Sequence, residues 1–193
     1  MTAAVQQALR GGVKAVQLRE KALDTRELLK LAYRMKELTT QYDAQLFIND
    51  RFDVALAVGA DGVHLTGNSI PVDAVRNAVK KKMLIGVSTH SLREAKEAEK
   101  GGADFITLGP VYNTPSKLKY GKPLGIDLLK KVTGKVNIPV FAIGGIKSDR
   151  VDEAVNAGAA GVAMISEIFK ADNIRKKAET IISIVEAAEA ERN

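Results

Sequence analysis

The stretch PVFAIGGIKSDRVDEAVNAGAAGVAMIS, residues 139–166, decides how the whole chain reads. It opens with Pro139-Val140-Phe141-Ala142-Ile143, an apolar run too short for a helix and rich in β-branched and aromatic residues, hence a buried strand. Gly144-Gly145 breaks the run. Ser148 and Asp149 are placed to cap a helix through Val155 that stops at Gly158. A second apolar run, Gly161 to Ile165, ends on Ser166. Two strands joined by a helix therefore finish in small residues that bare backbone N–H groups. In a barrel of parallel strands, the loops after the last two strands are the usual seat of a phosphate. Glycine lets an anion approach those N–H groups closely. The expectation is that Gly145 and Ser166 cradle a phosphate.

Outward from that stretch the same unit recurs. Gly11-Gly12-Val13-Lys14-Ala15-Val16, Gly59-Ala60-Asp61-Gly62-Val63, Gly102-Ala103-Asp104-Phe105-Ile106 and Gly158-Ala159-Ala160-Gly161-Val162 each read as a helix stop, a tight turn and a buried strand. Between them lie amphipathic segments: a helix from an Asp24 or Thr25 cap to about Gln41, a short one from Arg51 to Val58, one opened by Pro71, and others at 91–100, 125–132 and 173–190. Repeated βα units require parallel strands, because each crossover returns the chain to the same sheet edge. Strands are expected at residues 13–18, 45–48, 62–65, 83–87, 104–108, 139–143 and 161–165. The fold expected is a single α/β domain over 1–193, a TIM (β/α)8-type barrel that lacks its first β-strand, because the chain begins inside a helix. The missing strand either lies upstream, is supplied by a partner, or leaves an open seam. A doubly wound sheet is the alternative, but no Gly-x-Gly-x-x-Gly follows the first strand.

Composition narrows the function. There is no cysteine, which removes disulfides, zinc–thiolate sites and thiol nucleophiles. No window reaches the roughly 18 apolar residues of a membrane span, and Met1 to Arg10 lack a secretory signal's layout. A cytoplasmic protein with no membrane partner is expected. The net charge of +6 suits an anionic ligand, although many basic residues also serve simply to solvate helix surfaces. Aromatics make up only 5% and are scattered, which speaks against nucleic acid as a partner.

Polar residues gather where the strands stop: Gln17, Arg19 and Lys21; Asn49 and Asp50; His64; Ser88; Gly109 and Pro110; Gly144 and Gly145; Ser166. Apolar strand bodies with polar carboxyl ends are the layout of a site at the top of a barrel. Each residue taken alone has a plainer reading. Arg19 can pair with Glu20 or Asp50, Asp50 can cap the next helix, His64 can be a core histidine, and Ser88 to Ser91 can be a helix start. No nucleophile elbow is present, and two histidines without clustered carboxylates do not make a transition-metal site. The segment Pro110 to Pro123 carries three lysines, no acid, and hydroxyls at Thr114 and Ser116; at the active face it would close over a diphosphate, and otherwise it is a solvated linker.

Taken together, the motifs Gln17-Leu18-Arg19-Glu20-Lys21, Asn49-Asp50-Arg51, Gly62-Val63-His64-Leu65, Gly86-Val87-Ser88-Thr89-His90-Ser91, Gly109-Pro110-Val111-Tyr112 with Thr114-Pro115-Ser116-Lys117, Ala142-Ile143-Gly144-Gly145-Ile146 and Met164-Ile165-Ser166 resemble the thiamine phosphate synthase family, which includes the thiazole tautomerases. The resemblance implies a transferase that joins hydroxymethylpyrimidine diphosphate to thiazole phosphate and releases diphosphate. It implies that Gln17, Leu18, Arg19, Glu20, Lys21, Asn49, Ser88 and Lys117 bind the pyrimidine diphosphate, with His64 lining the pyrimidine pocket. It assigns Mg2+ to Asp50, the thiazole phosphate to Thr114, Pro115, Ser116, Gly145, Ile165 and Ser166, and the catalytic roles to Arg19, Lys117 and Ser88.

Two departures bear on that implication. Ser69 stands where the synthases carry a second metal carboxylate, and Pro110 stands where the tautomerases carry their proton-transferring histidine. The alternatives are accordingly a tautomerase-like paralogue, with His64 as its base, and a catalytically silent phosphate-ligand binder. Homo-oligomer formation is compatible with the sequence.

Overall fold

A computed structural model describes residues 2–80, 82–114 and 122–192. Among them, helices and strands alternate: α1 (Thr2–Arg10), β1 (Ala15–Leu18), α2 (Thr25–Gln41), β2 (Gln45–Asn49), α3 (Phe52–Val58), β3 (Gly62–Leu65), α4 (Val72–Val79), β4 (Leu84–Thr89), α5 (Leu92–Lys100), β5 (Phe105–Leu108), α6 (Gly125–Thr133), β6 (Val140–Ile143), α7 (Val151–Asn156), β7 (Gly161–Ala163), α8 (Ser166–Phe169) and α9 (Ile174–Arg192). The seven strands form one sheet in the order β1-β2-β3-β4-β5-β6-β7, every neighbouring pair parallel. The sheet curls into the wall of a TIM-like barrel, with β1 and β7 at its two ends.

Strand alternation sorts side chains onto two faces. Outward go Leu46, Ile48, Val63, Ile85, Ile106 and Ala142, all at 0% exposure beneath the helices. Each leucine, isoleucine or valine so buried contributes roughly 1.5–3 kcal/mol. Inward, at the lower level, Phe47, Phe105 and Phe141 fill the barrel, their rings edge-on at 5.1 and 5.5 Å. Each phenylalanine sits in register with a glycine on a neighbouring strand: Phe47 with Gly62, Phe105 with Gly86, Phe141 with Gly161. A Cβ at Gly62 would lie 2.3 Å from the Phe47 ring, and one at Gly86 would lie 2.3 Å from Phe105. Ring and missing side chain complement each other, so each ring fills the space that a side chain on the facing glycine would take.

The recurring Gly-Ala-Asp turn has a second purpose. The Asp61 carboxylate accepts from the Leu46 N–H at 2.8 Å and from Lys36 Nζ at 2.8 Å. Asp104 does the same for the Ile85 N–H at 2.7 Å and for Arg76. Each aspartate thereby ties the start of its strand to the neighbouring strand.

Several element ends differ from expectation for local reasons. Pro71 is the cap of α4, which ends at Val79. β4 extends to Thr89, because Ser88 and Thr89 pair with Thr107 and Leu108. Ser148 and Asp149 do not cap α7; they lie in a 3-10 turn, Ser148–Arg150, and the Ser148 hydroxyl is engaged elsewhere. β7 ends at Ala163, and the short helix α8 follows directly. Asp24 and Ser91 cap α2 and α5 as read, the first in a full capping box.

Candidate active site

Above the phenylalanines, at the carboxyl ends of the strands, the inward positions become polar. Gln17 on β1 donates to Asn49 Oδ1 at 3.1 Å, and Asn49 Nδ2 donates to Asp50 Oδ2 at 2.7 Å. On β3, β4 and β5, His64 Nε2 lies 3.0 Å from Ser88 Oγ, and Thr107 Oγ1 is 3.4 Å from His64 Nε2 and 3.5 Å from Ser88 Oγ. Gln17, Asn49, His64, Ser88 and Thr107 thus form a polar tier on an aromatic floor, and His64 tilts onto Phe105 with 5.8 Å between ring centres. Burial of the His64 ring, 4% exposed, pushes its pKa down to about 4 against a smaller opposing pull from Asp50, so the imidazole is neutral at pH 7.

Asp50 adopts a left-handed backbone with φ 59°, an uncommon state for a residue with a side chain. Its N–H donates to the His64 carbonyl at 2.9 Å. The carboxylate does not cap α3, whose cap residue Arg51 makes no side-chain capping bond. Instead Asp50 Oδ1 accepts from the Thr66 N–H at 3.3 Å, from Thr66 Oγ1 at 3.2 Å and from Ser69 Oγ. Ser69 therefore lies against Asp50, where a second carboxylate would share a cation. The donors here are hard oxygens, one carboxylate with two hydroxyls. Among the described residues no group of three His, Cys, Asp or Glu side chains is gathered to hold a metal. That set does not enclose a cation by itself, but it suits Mg2+, which keeps waters and takes substrate phosphates beside one or two carboxylates.

Arg19 and Lys21 are exposed beyond the end of β1, Glu20 is half-buried, and Arg19 forms no ion pair among the described residues. Leu18 is 3% exposed within the outer core, so only its backbone faces the mouth. Beyond β5 the chain folds onto the end of β6: Val111 N–H donates to Ile143 O at 2.9 Å and Tyr112 N–H to Gly144 O at 3.0 Å. Gly145, at φ 69°, passes so close that a Cβ would meet Asn113 O at 2.5 Å. Arg150 lies over the Tyr112 ring at 4.7 Å and donates to Gly145 O at 3.4 Å. Tyr112 donates to Glu153 at 2.5 Å, and burial followed by that bond pushes its phenol pKa up. Ile165 is 70% exposed and Ser166 opens α8. Thr114 is half-buried; Pro115, Ser116 and Lys117 lie outside the described residues.

Hydrogen bonds thus run from Gln17 through Asn49 to Asp50, from the Asp50 N–H to the His64 carbonyl, among His64, Ser88 and Thr107, and from the segment after β5 to Ile143 and Gly144. Sequence alone does not single out Thr107 or Thr66. A threonine inside a strand reads as a β-former, and only cross-strand register brings Thr107 beside Ser88.

Comparison with known proteins agrees in sequence and shape. The family model described as thiamine monophosphate synthase matches residues 1–168. A relative from Geobacter sulfurreducens is 51% identical over 185 residues, covering 96% of this chain and 87% of that one. The thiamine-phosphate synthase of Halalkalibacterium halodurans is 41% identical over 186 residues, covering 96% and 88%. The solved structure of a thiamine phosphate pyrophosphorylase from Pyrococcus furiosus superimposes with a TM-score of 0.90 at 40% identity, covering 97% of this chain and 90% of that one. With a family model spanning most of its length and relatives this similar, the chain belongs to the thiamine monophosphate synthase family.

Proposed function

We propose that this chain is a Mg2+-assisted transferase that couples hydroxymethylpyrimidine diphosphate to a thiazole phosphate and releases diphosphate. The observation that carries the proposal is the polar tier Gln17–Asn49–His64–Ser88–Thr107 above a phenylalanine floor, with Asp50 at its rim. A flat aminopyrimidine needs an apolar wall and a few fixed hydrogen-bonding groups, and this tier supplies both.

In the reaction the C–O bond from the pyrimidine methylene to diphosphate breaks, the diphosphate leaves with the electron pair, and the thiazole nitrogen forms the new C–N bond. No proton need be taken from either partner. Asp50, with the hydroxyls of Thr66 and Ser69, is the group that would hold Mg2+. When bound, Mg2+ supplies charge neutralisation for the departing diphosphate. Arg19 adds positive charge at that end, the family resemblance gives Lys117 the same role, and Ser88 hydrogen-bonds within the pocket. Positive charge develops on the pyrimidine side, so a neutral His64 is the form that adds no repulsion, and its burial keeps it neutral. Gly145, Ile165 and Ser166 present backbone and hydroxyl to the thiazole phosphate, and the family resemblance adds Thr114, Pro115 and Ser116 to the residues that bind it. Holding the two substrates in line contributes the remainder through positioning.

The test is turnover of both substrates with Mg2+, followed by release of diphosphate and appearance of the coupled phosphate product. Saturable binding of the thiazole phosphate without product would favour a silent binder, and an isomerised thiazole alone would favour a tautomerase. Small-molecule substrates and a cytoplasmic setting go with this reading. No helix among the described residues is long and apolar enough to cross a membrane.

A further inference from the structure

We infer that Glu167 is the positioning residue that sets the spacing between the two loops of the phosphate cup, with Lys177 as its counter-charge. The inference rests on the coupling reading above and deepens it at one subsite. The loop after β6 carries Gly144 and Gly145, and the segment after β7 carries Ile165 and Ser166. Glu167 lies next to Ser166, and Oε1 of its carboxylate accepts from the Ser148 N–H at 3.4 Å and from Ser148 Oγ at 3.0 Å. Among the described residues no other side-chain hydrogen bond joins these two segments. Lys177, reaching in from α9, donates to the same Glu167 oxygen at 3.2 Å and to Ser148 Oγ at 3.2 Å. Burial pushes the Glu167 carboxyl up, but the Ser148 and Lys177 donors outweigh it and hold it below the usual carboxylate range.

A carboxylate beside a phosphate site is unfavourable unless its charge is neutralised, so its presence needs a reason. Here the charge is neutralised by Lys177, and what remains is a clamp across the cup. Ser148 and Glu167 are half-buried, and both donors converge on a single carboxylate oxygen. Freeing Ser148 would let the diglycine loop and Ser166 move independently, and a cup that must be reassembled on binding binds more weakly.

The experiment compares KM for each substrate and kcat in the purified chain for wild type, Glu167→Ala, Glu167→Gln and Ser148→Ala. Glu167→Ala is expected to raise KM for the thiazole phosphate about tenfold, the loss of a hydrogen bond to a charged group, with kcat and the pyrimidine diphosphate KM within about twofold. Glu167→Gln keeps an acceptor oxygen for Ser148 and should return to within about threefold of wild type. Ser148→Ala, which removes the donor with little change in packing, should raise the same KM several-fold. If wild type couples the substrates and Glu167→Ala leaves the thiazole phosphate KM within twofold, this inference is overturned while the coupling reading stands. If both KM values rise together, Glu167 acts on the fold at large and the inference also falls. A wild type that binds thiazole phosphate but forms no product, with Glu167→Ala weakening that binding, overturns the coupling reading and leaves the clamp.

Discussion

His64 offers a test of the polar tier that needs no substrate. Its ring is 4% exposed and its pKa is pushed down to about 4 from 6.5, mainly by burial. Below pH 6.5 the unfolded chain takes up a proton at this ring that the folded chain refuses, so folding stability falls as pH falls. The loss continues until the folded pKa is reached and then levels off. A drop from 6.5 to about 4 corresponds to roughly 3 kcal/mol in total, of which about 2 is lost by pH 5. The assay is urea unfolding of wild type and His64→Asn at pH 7.5 and pH 5. Other groups titrate in both proteins, so the difference between them isolates this ring. Whatever the variant costs at pH 7.5, wild type should lose about 2 kcal/mol more than the variant on going to pH 5. An unchanged difference between the two proteins would mean that His64 is solvated and that the tier is not closed as described.

Three further outcomes are expected. Asp50→Ala removes the carboxylate that accepts from Asn49, Thr66 and Ser69, and should abolish Mg2+-dependent turnover; an unaltered Mg2+ dependence in steady-state assays would place the metal elsewhere. Ser69→Asp sets a second carboxylate against Asp50 and should tighten Mg2+ binding measured by calorimetry, whereas no change would show that position 69 does not face the metal. Gly62→Ala drives a Cβ to 2.3 Å from the Phe47 ring, and overpacking of this kind should destabilise by about 1–3 kcal/mol in denaturant unfolding; a neutral effect would mean the aromatic floor is loosely packed.

Much of this architecture is legible in the sequence because it is local. Short apolar runs, glycine stops and caps such as Asp24 and Ser91 announce the βα units, and the polar tips of the strands announce the mouth of the barrel. What escapes is set by register between strands distant in sequence. Nothing near Gly62 indicates that its missing side chain makes room for Phe47, and nothing near Thr107 places it beside Ser88 and His64. Asp61 and Asp104 look like turn formers, yet their carboxylates reach backbone N–H groups of the neighbouring strand. Ser148 misleads for the same reason. Serine ahead of a helix reads as a cap, whereas here its hydroxyl serves a glutamate that follows the next strand.

Family membership and the tier at the barrel mouth converge on one reaction, and a single assay addresses it. The purified chain is incubated with hydroxymethylpyrimidine diphosphate, thiazole phosphate and Mg2+, and phosphorus NMR follows both phosphorus-containing products. Diphosphate and coupled thiamine phosphate should appear in equal amounts, and neither should form when Mg2+ is chelated. Unchanged substrates, or a thiazole that isomerises without joining the pyrimidine, would contradict the account.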